Sequence, residues 1–511
     1  MATRTHTYLM FSLVFALSLS ALIACGNQTT PTTTSPDLDI PTVDPNPGGG
    51  GSGSGGNDWT GPAIYVSING SDTSDCGDPD HPCRTIQKGV NQSAAGMAVL
   101  VKAGEYHESF IYMKSGVRVI SADGPLAASI YSGDRSAVRL EQVQGAAIDG
   151  FEIRGDWNQG PQGDGLVRVL DASGCEIHNC VIYDAPNDCD LIKVSGAVDG
   201  LLIENVVAFN PGQRDPSIDP CGNGAWYQEN IDIFGRGLNG TSDAEIRNVV
   251  IRGCWLFHTA DHGGDWLLYS KINCENVLYE NNVFGPSAGG GCGNAAVGIG
   301  TEEAGIPDPT QHVVRGAIVR NNIFVGCKGD AALAVMNSDD VWVYNNTFWG
   351  NSGSKLRAVL ELRGNRVPVG NTWIFNNIFQ SNQPAASGDG RLIWVREGGA
   401  GGVSHDYNLS DGNVATSDLD LSSEAHGVVG AAAGLSAPRI PSTAVLRSDR
   451  VLEIARDFAL SAQSPAKGAG IAAFSYAQHP NWDPGVTDRG WDILQQTRSG
   501  TAWDLGAVKA P

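Results

Sequence analysis

The chain carries little positive charge. Lys and Arg number 33 against 55 Asp and Glu in 511 residues, which gives a formal net charge of −22, and only 17% of the residues are charged. A protein that binds nucleic acid needs a positive face for the phosphates, so the composition argues against a nucleic-acid partner. The acidic excess by itself indicates no more than the solubility of a surface protein.

Two further absences narrow the class of protein. No Cys-x2-Cys spacing occurs among the 11 cysteines, which argues against a zinc site. Long amphipathic helical patterns are also missing, while Gly reaches 66 residues. Only one short helix is predicted, from Arg84 to about Ala94, with Ile86 and Val90 on one face. The rest of the chain is therefore expected to form strands and loops.

The chain has instead two short motifs that recur in a fixed order. The first motif is an Asp, Asn or Gly followed by alternating aliphatic residues, and it returns about every 25 to 40 residues. Its copies begin at Asp164, Asp190, Asn230, Asp265, Asn294, Asp330 and Gly390. Copies of the second motif follow and begin at His178, Glu204, Arg252, Glu280, Arg320, Tyr344 and Phe375. Two strands per period predict a solenoid whose coils bury their apolar side chains by stacking.

The second motif predicts parallel stacking of these coils. Four of its copies read Asn-Asn-x-Phe, which places Asn282, Asn322, Asn346 and Asn377 at equivalent positions. Coils stacked about 4.8 Å apart would let each Asn bond to the next in an internal ladder, with the Phe rings filling the interior. The alternative is that Asn-Asn is only a turn signal.

Characteristic segments stand at both ends of the repeat region: Tyr65–Asp72, Pro82–Lys88 and Val99–Tyr106 at its opening, and Asp457–Ser461, Ser464–Gly470 and Asp504–Ala507 at its close. These segments resemble those of bacterial right-handed parallel β-helix proteins of the pectate-lyase-like superfamily. The resemblance implies an all-β fold, a right-handed parallel β-helix solenoid with a short N-terminal capping helix. It does not imply one reaction, because the superfamily includes lyases, hydrolases, epimerases and non-catalytic surface proteins.

The N-terminal region predicts an exported, anchored protein. Residues 1–25 resemble a lipoprotein signal peptide, because the apolar run ends in Leu-Ile-Ala-Cys, which resembles a bacterial lipobox with Cys25 as the lipid attachment site. An ordinary signal peptide with an incidental Cys is the alternative. Gly26 in place of Asp favours the outer membrane or cell surface. Residues 26–58 are expected to be a disordered Thr/Pro/Gly/Ser tether, residues 59–410 the parallel β-helix, and residues 411–511 its C-terminal closing segment.

Ten cysteines remain after Cys25, and an even count in an exported protein favours disulfides. The short loop between Cys76 and Cys83 predicts that these two are bonded. The next pairings expected are Cys189 with Cys221 and Cys292 with Cys327. Cys180 and Cys254 stand in the Asn-Asn position, where they are interpreted as buried thiols.

Loop lengths and strand alternation predict a groove over the first-motif strands. Long loops enter these strands at 155–163, 211–228, 259–264 and 285–293, and leave them at 235–243 and 301–311. If the aliphatic residues point inward, Arg168, Lys193 and Asp232 point outward on successive coils. These outward residues form a column, and its further members on later coils are Gly298, Ala334, Glu361 and Trp394.

This column provides one candidate site. Lys193 and Arg168 are the predicted catalytic residues, and Asp232, Glu361 and Trp394 the predicted substrate-binding residues. Like charge on Arg168 would lower the pKa of Lys193 toward that of a base, whereas Asp232 would oppose this. Lys193 is expected to be exposed, so that its replacement should leave the melting temperature nearly unchanged. The alternative is a surface ladder of ion pairs.

A second candidate is the segment from His258 to Trp266. It lies between Asn248–Trp255 and Asn276–Asn282, which resemble the coils that carry calcium-binding carboxylates in pectate lyases. The resemblance implies Ca²⁺ as a cofactor. Asp232, Asp261 and Asp265 offer oxygen ligands of the kind that Ca²⁺ takes and are the predicted metal ligands, and His262 is a predicted catalytic residue. The Arg-x-Pro-x-x-Arg motif of that family is absent. The alternative is that these Asp and His side chains only stabilise loops.

The sequence thus predicts a surface-anchored β-helix lipoprotein that acts on polysaccharide, in particular a lyase of uronate polymers. The alternative is a non-catalytic glycan-binding or adhesive surface protein. The expected partners are a polysaccharide and, through the lipid anchor only, a membrane; no nucleic acid is expected, and the protein is expected to be a monomer.

The lipobox hypothesis predicts the effect of one substitution. Cys25→Ala should release the protein from the membrane fraction or block its processing, because the lipid would be attached to that sulfur. Metabolic lipid labelling followed by fractionation measures this. Normal lipid labelling of the Cys25→Ala protein would contradict the hypothesis.

Overall fold

The computed structural model describes residues 59–156, 164–214, 226–235, 244–259, 264–287, 295–301, 312–385, 390–398, 402–414, 416–443, 450–472, 492–494, 496–498 and 502–510. The predicted leader, tether and Cys25 lie outside the described residues. Among the residues that are described, no helix combines the length and the apolar character needed to cross a membrane.

The chain winds through three parallel sheets in the repeating order sheet 1, sheet 2, sheet 3. Sheet 1 comprises Ala63–Val66, Ala98–Val101, Arg118–Ser121, Ala147–Asp149, Glu176–His178, Val198–Asp199, Leu202–Glu204, Ile246–Arg252, Cys274–Glu280, Val314–Arg320, Ser338–Tyr344, Thr372–Phe375 and Val403–Asp406. Sheet 2 comprises Gly104–His107, Ala128–Tyr131, Phe151–Arg154, Val181–Tyr183, Val207–Phe209, Trp255–Phe257, Val283–Phe284, Ile323–Val325, Thr347–Trp349, Ile378–Gln380, Leu409–Ser410 and Val428–Val429.

Sheet 3 carries the first motif. It comprises Ile111–Tyr112, Val138–Glu141, Gly165–Leu170, Asp190–Ser195, Ile231–Phe234, Leu268–Ser270, Val297–Ile299, Ala331–Met336, Ala358–Arg363 and Arg391–Arg396. A separate antiparallel pair joins Gln213–Arg214 to Trp226–Tyr227. The protein is a right-handed parallel β-helix, as predicted, but each coil has three strands rather than two. The second motif spans the corner between two strands: its first residue ends a strand of sheet 1, and its aliphatic residues form the next strand of sheet 2.

The Asn-Asn motif forms both the turn and the ladder that were weighed as alternatives. The first Asn of each copy has a left-handed backbone at the corner between sheets 1 and 2, with φ of 58° at Asn281 and 56° at Asn321. This is a conformation that Asn tolerates better than most residues. The second Asn points inward and is fully buried at Asn282, Asn322 and Asn346.

The buried ladder runs through five coils. Each side-chain amide donates to the Oδ1 of the next Asn, at 3.1 Å from Asn282 to Asn322, 3.0 Å from Asn322 to Asn346 and 3.1 Å from Asn346 to Asn377. Asn408 extends it at 3.1 Å, a member that the motif search missed. Cys254 holds the preceding position, where its backbone N–H donates to Asn282.

Stacked Phe rings fill the interior beside the ladder, as predicted. Ring centroids are 5.1 Å apart between Phe284 and Phe324, 4.5 Å between Phe324 and Phe348, and 4.9 Å between Phe348 and Phe379. All four rings are fully buried. Stacking of identical side chains gives each coil a fixed register on its neighbour.

A short helix covers the N-terminal end. It spans Ile86–Gln92, and the Thr85 hydroxyl caps it by accepting from the Lys88 N–H at 3.2 Å. Glu108 accepts from the N–H groups of Ile86 and Gln87, at 2.6 and 3.0 Å. The helix is therefore shorter than predicted, but its apolar residues Ile86 and Val90 are buried as expected.

The C-terminal segment packs mainly along the side of the solenoid. Leu421, in the 3-10 helix Leu421–Ser423, joins the central core. The second α-helix, Arg450–Asp457, buries Ile454 on the outer face of sheet 2, in a cluster that includes Trp255 and Val508.

The cysteines agree with the expectation where it can be compared, with one disulfide at Cys76–Cys83 and buried thiols at Cys180 and Cys254. Cys175, Cys180, Cys254 and Cys274 are buried free thiols, and burial raises the pKa of Cys180 and Cys254 to about 12. Cys189 and Cys327 are also buried, and their predicted partners, Cys221 and Cys292, lie outside the described residues. Most of these sulfurs thus serve as small core side chains.

The ladder predicts a large cost for removing one of its members. In Asn322→Ala the bonds that Asn322 makes to Asn282, Asn346 and the Tyr279 carbonyl are lost. Since a buried polar group without a partner costs about 1–3 kcal/mol, the free energy of unfolding should fall by at least that amount.

Urea denaturation measures this loss, with the exposed Asn69 as the control. Asn69→Ala should change the free energy of unfolding by less than about 0.5 kcal/mol. Equal effects of the two substitutions would show that the ladder does not hold the coils together.

Candidate functional site

Each strand in sheet 3 has one position that faces away from the core in register with the same position on the neighbouring strands. The column that these positions form, called here the outward column, runs through Tyr112, Arg139, Arg168, Lys193, Asp232, Tyr269, Gly298, Ala334, Glu361 and Trp394. Arg168, Lys193 and Asp232 thus lie on successive strands, as the alternation predicts. The catalytic and binding roles given to them stay predictions.

Three carboxylates meet beside the centre of this column. Asp190 opens the strand that carries Lys193, and Glu229 lies just before the strand that carries Asp232. The backbone N–H of Glu229 donates to Asp190 Oδ1 at 2.9 Å. Asp190, Glu229 and Asp232 are buried, and each offers an oxygen within 4.8 Å of the other two. We call this group the carboxylate cluster.

Two lysines insert between these carboxylates. Lys193 Nζ lies 3.0 Å from Asp190 Oδ2 and also contacts Asp232 Oδ2. Lys271 Nζ lies 2.8 Å from Glu229 Oε1 and 3.3 Å from Asp232 Oδ1. Three acids against two lysines leave a formal charge of −1 when all five groups are ionised, and in that state the site attracts a cation.

The lysine expected to be a base is held in its charged form. Burial by itself would lower the pKa of Lys193, but the attraction of Asp190 and Asp232 outweighs it, and the pKa is raised. Arg168 does not oppose this, because it contacts Asp164 at 2.7 Å and Glu141 at 3.5 Å. The predicted lowering of the Lys193 pKa by Arg168 is therefore wrong for the protein without a bound cation.

The carboxylates of the cluster differ in their protonation. Burial raises the pKa of Asp190 well above its usual value. Burial acts in the same direction on Glu229, but Lys271 and a hydrogen bond from Asp190 more than offset it, and the pKa of Glu229 falls to about 2. Of these two acids, Asp190 is therefore the one that holds a proton more readily, and a cation that binds here would displace that proton.

The cluster fits a calcium ion by its donor chemistry. Ca²⁺ takes six to eight oxygen ligands, largely from carboxylates, and binds flexibly. Asp232 Oδ1 is buried, and its contact with Lys271 at 3.3 Å is an ion pair without hydrogen-bond geometry, so it keeps a lone pair for a cation. The set shares only Asp232 with the predicted ligands. Asp265 is not a member of the cluster, and Asp261, like the predicted catalytic His262, lies outside the described residues.

The neighbouring part of the column is a network of ion pairs. Arg139 contacts Glu141 at 2.8 Å and Asp164 at 2.6 Å, and Arg168 shares both acids. All four side chains are mostly buried. At Arg168, therefore, the contacts favour the ion-pair ladder over a catalytic role.

A buried apolar stretch separates Asp232 from the predicted contacts at the other end. Tyr269 stacks on Trp266 with centroids 4.0 Å apart, and a Cβ added to Gly298 would lie 2.6 Å from the Trp266 ring. Ala334 is also buried. The loop pattern predicted an open groove over the first-motif strands, but the outer face of sheet 3 is closed by these apolar side chains in its middle.

Glu361 and Trp394 lie beyond this stretch. Glu361 is buried and accepts from Arg396 Nη1 at 2.9 Å, and burial raises its pKa. Trp394 is partly exposed, with the guanidinium of Arg396 4.3 Å and that of Arg391 5.4 Å from its ring centroid. Of the two predicted substrate contacts, Trp394 is the accessible one.

Comparison with known proteins gives only distant similarity. No family model matches the chain. The chain is 32% identical over 96 residues to the uncharacterized protein YwoF of Bacillus subtilis (strain 168), a match that covers 19% of each protein. The chain therefore spans about a fifth of the length of that curated relative.

Two solved structures illustrate the range of similar proteins. The pectate lyase Pel9A aligns with a TM-score of 0.49 and 15% identity, over 90% of this chain and 98% of that one. PfbA, a surface adhesin of Streptococcus pneumoniae, aligns with a TM-score of 0.41 and 13% identity, over 63% and 86%. One is named as a lyase and the other as an adhesin, so function has to be argued from the site.

Sequence alone predicted that Lys193→Ala would leave the melting temperature nearly unchanged, but the ion pairs of Lys193 predict a loss of stability. Breaking a buried pair costs about 3–5 kcal/mol because a charge is left without its partner, and the cost here should be smaller because the Lys193 side chain is 25% exposed. The melting temperature of the calcium-free protein should therefore fall clearly.

Differential scanning calorimetry in the presence of a chelator measures this effect, with the exposed Lys328 as the control. Lys328→Ala should leave the melting temperature within about 1–2 °C of the parent protein, as expected for a surface substitution. If both variants melt alike, the contacts of Lys193 with the carboxylate cluster do not stabilise the fold.

Proposed function

We propose that the protein is a calcium-dependent lyase that cleaves a uronate-containing polysaccharide by β-elimination at the carboxylate cluster. The observation that carries this proposal is the position of Lys193 and Lys271 on either side of Asp232, in contact with three buried acids. A divalent cation and a lysine base beside it are the two groups that this elimination needs.

Asp190, Glu229 and Asp232 would hold the ion. When bound, Ca²⁺ would neutralise the uronate carboxylate and make the adjacent C5 proton more acidic. Once the carboxylates are shared with a cation they attract the lysines less, so that a lysine pKa moves down toward that of a base. The neutral amine then takes the C5 proton, the C4–O bond breaks as the C4–C5 double bond forms, and the departing oxygen takes a proton from a water molecule. The protonated lysine returns its proton to solvent before the next turnover.

Lys193 is the first candidate for this base. Its side chain is 25% exposed, against 12% for Lys271, and it was the base predicted from sequence. Lys271 is the second candidate. Since it approaches the cluster from the next coil, its amine reaches Asp232 from the opposite side.

The site also supports a second function, the binding of glycan without cleavage. The ion pairs of Lys193, Lys271 and Arg168 favour this alternative, because they hold these three side chains in their charged forms in the calcium-free protein. A bound cation would then bridge the carboxylate cluster to an acidic sugar, and no bond would be broken.

The experiment is a screen of uronate polymers for the ultraviolet absorbance of the unsaturated product. Activity should require Ca²⁺ and disappear with chelator. Asp232→Asn should abolish it by removing a ligand. Lys193→Arg should also abolish it, since arginine keeps the positive charge but cannot act as a base near neutral pH.

Three further results complete the design. Lys271→Arg, assayed in parallel, tests the second candidate base, and loss of activity there alone would move the base to Lys271. Lys328→Arg is the control and should retain full activity. Calcium-dependent binding of a polymer without any unsaturated product would reject the lyase and favour the glycan-binding function.

A further inference from the structure

The N-terminal end of the outward column carries an exposed aromatic surface. Tyr112 is 50% exposed, and it is the only aromatic residue among the large exposed hydrophobic side chains of the described residues. The Phe110 ring lies beside it with centroids 6.4 Å apart and the planes inclined by 25°. Exposed apolar surface of this kind commonly marks a binding site.

Arginines border these two rings. The guanidinium of Arg135 lies 5.5 Å from the Phe110 centroid, and that of Arg139 lies 4.6 Å from Phe110 and 5.8 Å from Tyr112. Arg139 is neutralised by Glu141 and Asp164. Arg135 is 51% exposed and contacts Asp134 at 3.6 Å, so its guanidinium remains open to a second anion.

The backbone holds Phe110 in place at some cost. Its φ is +56°, a left-handed conformation that a bulky side chain rarely adopts. The Phe110 N–H donates to the Ser136 carbonyl at 2.8 Å, which ties this turn to the next coil. Strain of this kind is often found at binding sites.

The position of these residues determines which ligand they could take. Tyr112 is in register with Arg139 on the next strand. The same register leads on through Arg168 and Lys193 to Asp232. Four steps of about 4.8 Å place Tyr112 roughly 19 Å from the carboxylate cluster. A linear chain lying along the outer face of sheet 3 would reach both.

We propose that Phe110, Tyr112 and Arg135 form a distal subsite, called here the aromatic platform, for an anionic polysaccharide whose reacting unit lies at the carboxylate cluster. The proposal rests on the proposed function for the identity of the ligand as a uronate polymer. The apolar face of a sugar ring packs on Tyr112, and Arg135 pairs with a sugar carboxylate. The platform binds long chains and plays no part in bond cleavage.

The test compares polymers with short oligomers. Affinity electrophoresis and calorimetry would measure the binding of polygalacturonate and alginate, each as polymer and as disaccharide, to the full mature protein with Ca²⁺. Tyr112→Ala should weaken polymer binding about tenfold, equivalent to about 1.4 kcal/mol. Disaccharide binding should not change, because so short a chain cannot span both sites. Tyr112→Trp should keep polymer binding at the level of the parent protein, because it retains an aromatic ring.

A matched control exists on another face. The ring of Tyr131, in sheet 2, lies 4.6 Å from the guanidinium of Arg154 and reproduces the aromatic–arginine pair away from the outward column. Tyr131→Ala should leave polymer binding unchanged. Arg135→Ala should weaken polymer binding and reduce its dependence on salt, because one charge contact is lost.

The outcomes separate the platform from the lyase. Polymer binding that depends on Tyr112, without any unsaturated product, supports the platform and rejects the lyase. Normal cleavage together with unchanged polymer affinity in Tyr112→Ala rejects the platform alone. An equal loss of disaccharide binding in that variant also rejects it, and failure of the parent protein to bind either polymer rejects both.

Discussion

Registered stacking of one coil on the next is the constraint on which the rest of the structure depends. A single coil cannot bury its own apolar side chains, so its stability comes from its neighbours. The bonds that link Asn282, Asn322, Asn346 and Asn377 fix the register from within, since a slip by one residue would leave buried amides without partners. The same register aligns the outward side chains of sheet 3, so that a functional residue acquires its neighbours from the stacking of the core.

The carboxylate cluster is difficult to explain as a device for stability. Burying three acids and two lysines costs desolvation energy that ion pairing only partly recovers, and apolar residues of similar volume often stabilise a fold as well or better. Elsewhere in the same column Tyr269, Gly298 and Ala334 show that apolar residues fit this surface. The concentration of charge at Asp190, Glu229 and Asp232 therefore supports the proposal that these residues bind a cation.

The outer face of sheet 3 is uneven in a way that suits a chain-like ligand. An aromatic and arginine surface lies at each end, around Tyr112 and around Trp394, and the carboxylate cluster lies between them. Under the proposed function, contacts at the ends would hold a polymer without taking part in the chemistry at the centre. Such a division allows affinity for long chains and reactivity at one unit to be set by different residues.

The sequence by itself determined the repeats, the inward Asn ladder, the Phe stack, the capping helix, the Cys76–Cys83 bond and the register of Arg168, Lys193 and Asp232. The ladder, the Phe stack and the register follow from the repeats, because a parallel solenoid places equal positions of the motif above one another. The helix and the disulfide follow from short-range spacing, the i,i+4 pair Ile86 and Val90 and the short loop between the two cysteines. Only the tertiary structure decided which charges meet. Asp190 and Glu229 stand at strand starts, where the chain bends and the period of two no longer tells where a side chain points. Lys271 reaches Asp232 from the next coil. The pKa of Lys193 is raised by Asp190 and Asp232. The effect of a carboxylate on a neighbouring charge changes with distance and burial, and both are set here by how the coils stack.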